Sequence, residues 1–157
     1  MRRILAVSAV AVVSGLLGAP FFQPSSAIRQ SSSQAPILVG AHADSHVSSI
    51  IERSCLNCHS LQTEWPAYSR VYPFSRMIEQ DVETARIHLN LSRWETYTDD
   101  QKSRMLAEIG SVVRNHIMPP RRYTIIHPQA QLSDSEANEI YRWTRTERRL
   151  LNHSSGD

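Results

Sequence analysis

Four stretches of the chain repeat apolar residues at the 3.6-residue period of an α-helix. Val47, Ile50, Ile51 and Cys55 share one face of a first predicted helix, with Asp44 or Ser45 available to cap it. Phe74, Ile78, Val82, Ala85 and Leu89 line a second over 74–91, with Pro73 standing just before its start, where proline is tolerated. Met105, Leu106, Ile109, Val112 and Val113 give the inward face of a third over 99–116. Thr98 is placed to cap that helix, and two aspartates sit at the positive end of its dipole. A fourth, over about 134–151, opens with Ser133-Asp134-Ser135-Glu136, the reciprocal arrangement of a capping box. Its expected inward stripe is Ala137, Ile140, Tyr141, Trp143 or Thr144, and Leu151.

Between these stretches the pattern breaks. Residues 60–73 carry two prolines and three aromatics, and read as an irregular loop. Met118-Pro119-Pro120 stops the third helix, and 121–131 read as a loop, with a weak alternation at 123–126. The expectation is an all-α bundle of about four helices over 41–151, with a polar tail at 152–157.

The N-terminal residues have a different character. Arg2 and Arg3 precede an apolar run at 4–17, and Ser25-Ser26-Ala27 offers small residues for cleavage. This is the three-part pattern of a secretory signal over 1–27, and the run is short for a membrane span. Its retention as an N-terminal anchor is the alternative. Residues 28–40, rich in serine and glutamine, read as a flexible linker. The expected location is the periplasm, with membrane contact only if the N-terminal segment stays uncleaved.

Charge and composition narrow the chemistry. The 157-residue chain carries a formal net charge of +2, too little to drive nucleic-acid binding by phosphate neutralisation. Cleavage after residue 27 removes two arginines and no acid, which makes the remainder formally neutral. Five glycines include no Gly-rich phosphate-binding string, so the nucleotide-binding folds drop out.

Both cysteines of the chain fall in one pentapeptide, Cys55-Leu56-Asn57-Cys58-His59. Thiols three positions apart on a helical turn lie on one side of the backbone. They can reach the two vinyl groups of one haem, and the next residue offers an imidazole to its iron. In an exported chain this spacing reads as attachment of haem c, one per chain, through Cys55 and Cys58, with His59 as proximal ligand. A thioredoxin-like redox pair, a zinc site and a strained disulfide are the competing readings.

For the opposite side of the iron, Met118 is the leading candidate, a soft thioether stiffened by two prolines. His116 and an open site compete with it, while Met77 and Met105 sit on apolar stripes and read as core. Trp65, Tyr68 and Trp94 are candidate haem walls, and Arg86 is a candidate partner for a haem carboxylate. Arg121 and Arg122 lie beside the distal loop. His127 is placed to cap a turn, and His42, His46, His88 and His153 carry no assigned role.

The order of landmarks resembles the bacterial haem-binding domain family related to the monohaem c-type cytochromes. The carrying residues are Cys55–His59 and Ser60; Thr63-Glu64-Trp65-Pro66-Ala67-Tyr68-Ser69; Tyr72-Pro73; Asp81-Val82; Arg86; and Leu89-Asn90-Leu91-Ser92-Arg93-Trp94. Met118-Pro119-Pro120, Tyr123, His127-Pro128, Leu132-Ser133, Glu136 and Trp143 continue the series, so the match covers about 45–146. It implies a cytochrome c-like helical domain around one covalent haem, with Cys55, Cys58, His59 and Met118 in the roles above. Two departures from the family pattern are Ala85, where glycine is usual, and Ala67, where an aromatic is common. The function expected is electron transfer with redox partner proteins of the periplasm. A peroxidase-like haem enzyme and a haem-based redox or ligand sensor are the alternatives.

Overall fold

The computed structural model describes residue 29 and residues 35–154, and the elements among them are all helical. In chain order they are α1 (Ser45–Ser54), α2 (Leu56–His59), a 3-10 turn (Ala67–Arg70), α3 (Phe74–His88) and a second 3-10 segment (Leu91–Thr96). These are followed by α4 (Asp99–Arg114), α5 (Arg121–Ile126), a third 3-10 turn (Pro128–Ala130) and α6 (Asp134–Ser154). The all-α expectation is met, with two short helices beyond the four that periodicity marked. The signal over 1–27 and residues 155–157 lie outside the described residues. Among those described, no helix is long and apolar enough to cross a membrane.

The helix starts follow the caps in the sequence. Asp44 accepts the Val47 amide at 2.8 Å. Thr98 and Gln101 bond each other's backbone amides at 3.3 and 2.9 Å, and Ser133 and Glu136 do the same at 3.3 and 2.8 Å.

The core gathers around α4 and α6. Leu106 and Val113 of α4 and Ala137, Ile140 and Trp143 of α6 are buried with Val47, Ile50 and Ile51 of α1. The two long helices approach closely at Gly110, where a Cβ would lie 2.7 Å from the Thr144 hydroxyl oxygen. Buried Glu147 on α6 accepts the His42 backbone amide at 3.1 Å and meets its ring, which ties the start of the domain to its last helix.

Three sequence expectations need correction. Within the stretch assigned to a flexible linker, Ile37 and Leu38 pack on the core: Leu38 is only 7% exposed and its amide donates to the Leu91 carbonyl at 3.0 Å. Apolar Ile37 and Leu38, hidden among serines and glutamines, account for this. The loop expected at 121–131 is α5 followed by a 3-10 turn, and the alternation at 123–126 is helical. The first helix does not run through the pentapeptide. It ends at Ser54, Cys55 leaves helical geometry (φ −122°, ψ −34°), and Leu56–His59 form a separate turn.

Candidate functional site: an apolar cavity beneath the cysteine pair

The break at Cys55 sets up the site. The amides of Cys58 and His59 both return to the Cys55 carbonyl, at 3.2 and 3.0 Å. This one-turn helix places Cys55, Cys58 and His59 in the wall of a cavity of about 600 Å³. Its volume lies in the range of cofactor clefts.

The apolar stripe of α3 forms another wall. Phe74, Met77, Ile78, Val82, Ala85 and Leu89 all line the cavity. Phe74 is 50% and Met77 47% exposed, so Met77 is not core as the periodicity suggested. An amphipathic helix normally buries its stripe against protein; α3 turns most of its stripe toward a space. Met105, Ile109 and Val112 of α4 close a third side, so Met105 too faces the cavity while packing at the edge of the core.

His59 is held as a metal ligand would be. Its Nδ1 lies 3.1 Å from the Leu89 carbonyl oxygen. A carbonyl only accepts, so Nδ1 carries the ring proton and Nε2 keeps a free lone pair. Burial also pushes the imidazole pKa below its ordinary value, which favours the neutral, ligating form. The two thiols are free and protonated. Burial, then the neighbouring Cys58, raises Cys55 to about 12; burial, then Asp81, raises Cys58 to about 11.

Met118 lines the cavity and is 37% exposed. The Ile117 and Met118 amides both donate to the Val112 carbonyl, at 2.9 and 3.2 Å, which folds the methionine back under the end of α4. His116 is not among the cavity-lining residues. It sits at φ +53° and sends Nε2 to Asp134 at 3.2 Å.

Of the candidate walls, Trp65 and Tyr68 line the cavity and Trp94 does not. Trp94 is buried in the core with its ring edge against Tyr97. Arg86 also lies outside the lining. Its Nε donates to the Ser60 carbonyl at 2.7 Å and its Nη2 to Thr63 Oγ1 at 2.9 Å, so it clips the chain that follows the pentapeptide. Arg122 spans to Asp81 on α3 at 2.7 Å.

Several lining residues escaped the sequence reading: Asn57, Tyr123 and His127 at the rim, and His88 on α3. The available signal was the four-residue spacing of Tyr123 and His127, which puts both on one side of the short helix over 121–126 and its C-cap.

The donor set fits a haem. Two thiols and an imidazole with a bare Nε2 share one apolar cavity, and a methionine lines it as well. A zinc cage fits less well, because among the described residues no three His, Cys, Asp or Glu side chains converge. The model of the haem-binding domain family matches residues 14–146, most of the chain.

The chain belongs to the haem-binding domain family.

A stretch of 100 residues is also 31% identical to cytochrome c peroxidase Ccp of Escherichia coli (strain K12). That stretch is 62% of this chain and 22% of the peroxidase, so the likeness spans about a fifth of the larger protein. No solved structure matches the chain. By its family membership the chain is a haem-binding protein.

Proposed function

We propose that this haem-binding domain is a monohaem c-type cytochrome that carries electrons between periplasmic redox partners. The observation that carries the reading is His59, its Nδ1 tied to the Leu89 carbonyl and its Nε2 free, in one cavity wall with both cysteines. The haem, when bound, supplies a one-electron iron centre.

The chain's own residues have distinct tasks. Cys55 and Cys58 would hold the haem by thioether bonds, each thiol exchanging its S–H for an S–C bond to one vinyl group while the hydrogen passes to the neighbouring vinyl carbon. No oxidant or reductant is consumed. Their high pKa values keep both thiols protonated and slow to oxidise before this addition. His59 Nε2 and the Met118 sulfur would hold the iron, a donor pair that gives a higher reduction potential than two histidines. The stripe of α3, with α4, keeps water from the ring. The N-terminal pattern over 1–27 supports export.

The test is haem retained through denaturation. Purified protein unfolded in detergent should keep its haem on a gel, and its pyridine haemochrome should have the position of a thioether-linked haem. Cys55→Ser with Cys58→Ser should release all of it. Haem that washes out of the unmodified protein would overturn the covalent reading. The likeness to cytochrome c peroxidase favours a second reading, peroxide reduction at an open iron. High-spin iron with peroxide turnover in the purified protein would decide for it.

A further inference from the structure

Two phenol hydroxyls at the cavity rim, those of Tyr68 and Tyr123, each have a nitrogen at hydrogen-bond distance from the oxygen. Asn57 stands between the two cysteines. Its Oδ1 accepts the Glu64 amide at 3.1 Å, which identifies the oxygen end of its side chain. Its Nδ2 therefore faces Tyr123 and donates to the phenol oxygen at 2.9 Å. An amide nitrogen cannot accept, so Tyr123 receives this bond and keeps its own proton for another group.

Tyr68 is placed in the same way by His127. Gln129 Nε2 lies 3.4 Å from His127 Nδ1 and can only donate, which favours the tautomer with the ring proton on Nε2. That proton points to the Tyr68 phenol oxygen, 2.5 Å away. His127 also stacks on the Tyr123 ring, with centroids 4.4 Å apart. The imidazole thus sits between the two tyrosines, and both tyrosines line the cavity. Burial raises the pKa of each phenol, which leaves both as neutral O–H donors. Of the nearby cations, Arg86 is engaged with Ser60 and Thr63, while Arg122 pairs with Asp81 in the cavity wall itself.

We propose that Tyr68 and Tyr123 form a carboxylate-binding site at the cavity rim, held in place by His127 and Asn57, that takes the carboxylates on the edge of the haem. The assignment rests on the haem reading of the cavity. A carboxylate is an acceptor only, which matches two aimed O–H groups whose oxygens already receive bonds. Such O–H to carboxylate bonds are short and strong, and incoming bonds from Asn57 and His127 strengthen them further. Asn57 and His127 are positioning residues, since they act through the phenols.

The test uses the haem-loaded protein and two readouts, the carboxylate bending band in resonance Raman and the midpoint potential. Tyr68→Phe and Tyr123→Phe should each shift the band and move the potential to more negative values. Loss of a donor leaves the carboxylate charge less stabilised, and that charge favours the oxidised iron. Tyr141→Phe, whose ring lies on α6 beneath the Arg114 guanidinium and outside the cavity lining, should move neither. His127→Ala should act like Tyr68→Phe, whereas His127→Gln, which restores an amide donor, should stay near the parent values. The histidine pair keeps the test open if a phenylalanine variant loads poorly. An unchanged band and potential in haem-loaded Tyr68→Phe and Tyr123→Phe overturns the carboxylate site alone. A parent protein that takes up no haem overturns the cofactor reading and this assignment with it.

Discussion

His59 and Met118 approach the cavity by different means, and the difference decides what each substitution does. His59 is oriented by one backbone carbonyl, that of Leu89, which emerges where α3 has just ended. Met118 is oriented through its own backbone, by two amides bonded to Val112. In haem-loaded protein, Met118→Ala should abolish the weak long-wavelength charge-transfer band of sulfur-ligated oxidised haem and lower the reduction potential. His116→Ala should leave both unchanged, because that ring faces Asp134. An absorbance spectrum of the oxidised protein checks the pair, and a band that survives in Met118→Ala sinks the assignment of the sulfur. The pentapeptide and Met118 stood out because their chemistry is encoded in neighbouring positions, and they line one cavity. Trp94 and Arg86 were not, because which way a side chain points is settled by what packs around its element. Trp94 lies in a 3-10 segment whose twist carries its ring into the core, and Arg86 is drawn off by the Ser60 carbonyl.

At the level of elements, the pairing of α4 with α6 depends on one missing side chain. Alanine has the higher intrinsic helix propensity, by about 1 kcal/mol over glycine. At position 110, however, a Cβ would stand 2.7 Å from Thr144 Oγ1 and 3.2 Å from Tyr141 Cδ2. Thr144 is buried and short, so it has little room to yield. Gly110→Ala should therefore lower stability by about 1–3 kcal/mol despite its propensity, and Thr144→Ala in the same chain should recover part of the loss. Thermal unfolding of the three proteins checks this. The start of α6 gives a second test. Ser133→Ala should cost about 1 kcal/mol by removing one half of the capping box. The Ser133 amide holds the Glu136 carboxyl below its ordinary value of 4.5. A lowered native value means that the unfolded chain takes up the proton first as pH falls. The stabilisation from Glu136 is thus complete above the ordinary value and drains away as pH falls through the lower native one. Denaturant titrations of parent and Glu136→Gln should differ at neutral pH and converge in acid. Both caps were readable as four-letter strings. The short helix α5 was not: six residues give too few turns for a periodic signal, and its isoleucines Ile125 and Ile126 are exposed.

The whole molecule divides into a part that packs on itself and a part that waits for its cofactor. The helices α4 and α6 share Leu106, Val113, Ala137 and Ile140 in one buried cluster. Among its fifteen residues, α3 buries only Ser75 and Val82. It is fastened to the rest by Arg86 reaching Ser60 and Thr63, by Leu89 receiving the His59 ring, and by Asp81 meeting Arg122. The last of these is an exposed pair, of the kind worth at most about 1 kcal/mol. The sequence displayed an apolar stripe on α3 without revealing that it faces a cavity, because periodicity reports that a face is apolar and not what covers it. A chain of this size has little core to spare, so an apolar group filling about 600 Å³ would complete it. Local opening should follow the same division. In protein prepared without haem, amide exchange should be fast along α3 and α5 and slow along the facing parts of α4 and α6. Loading with haem should slow exchange in α3 most, since that helix gains the cover its stripe lacks. Hydrogen-exchange mass spectrometry on the two preparations reads this directly, and equal protection of α3 with and without haem would contradict it.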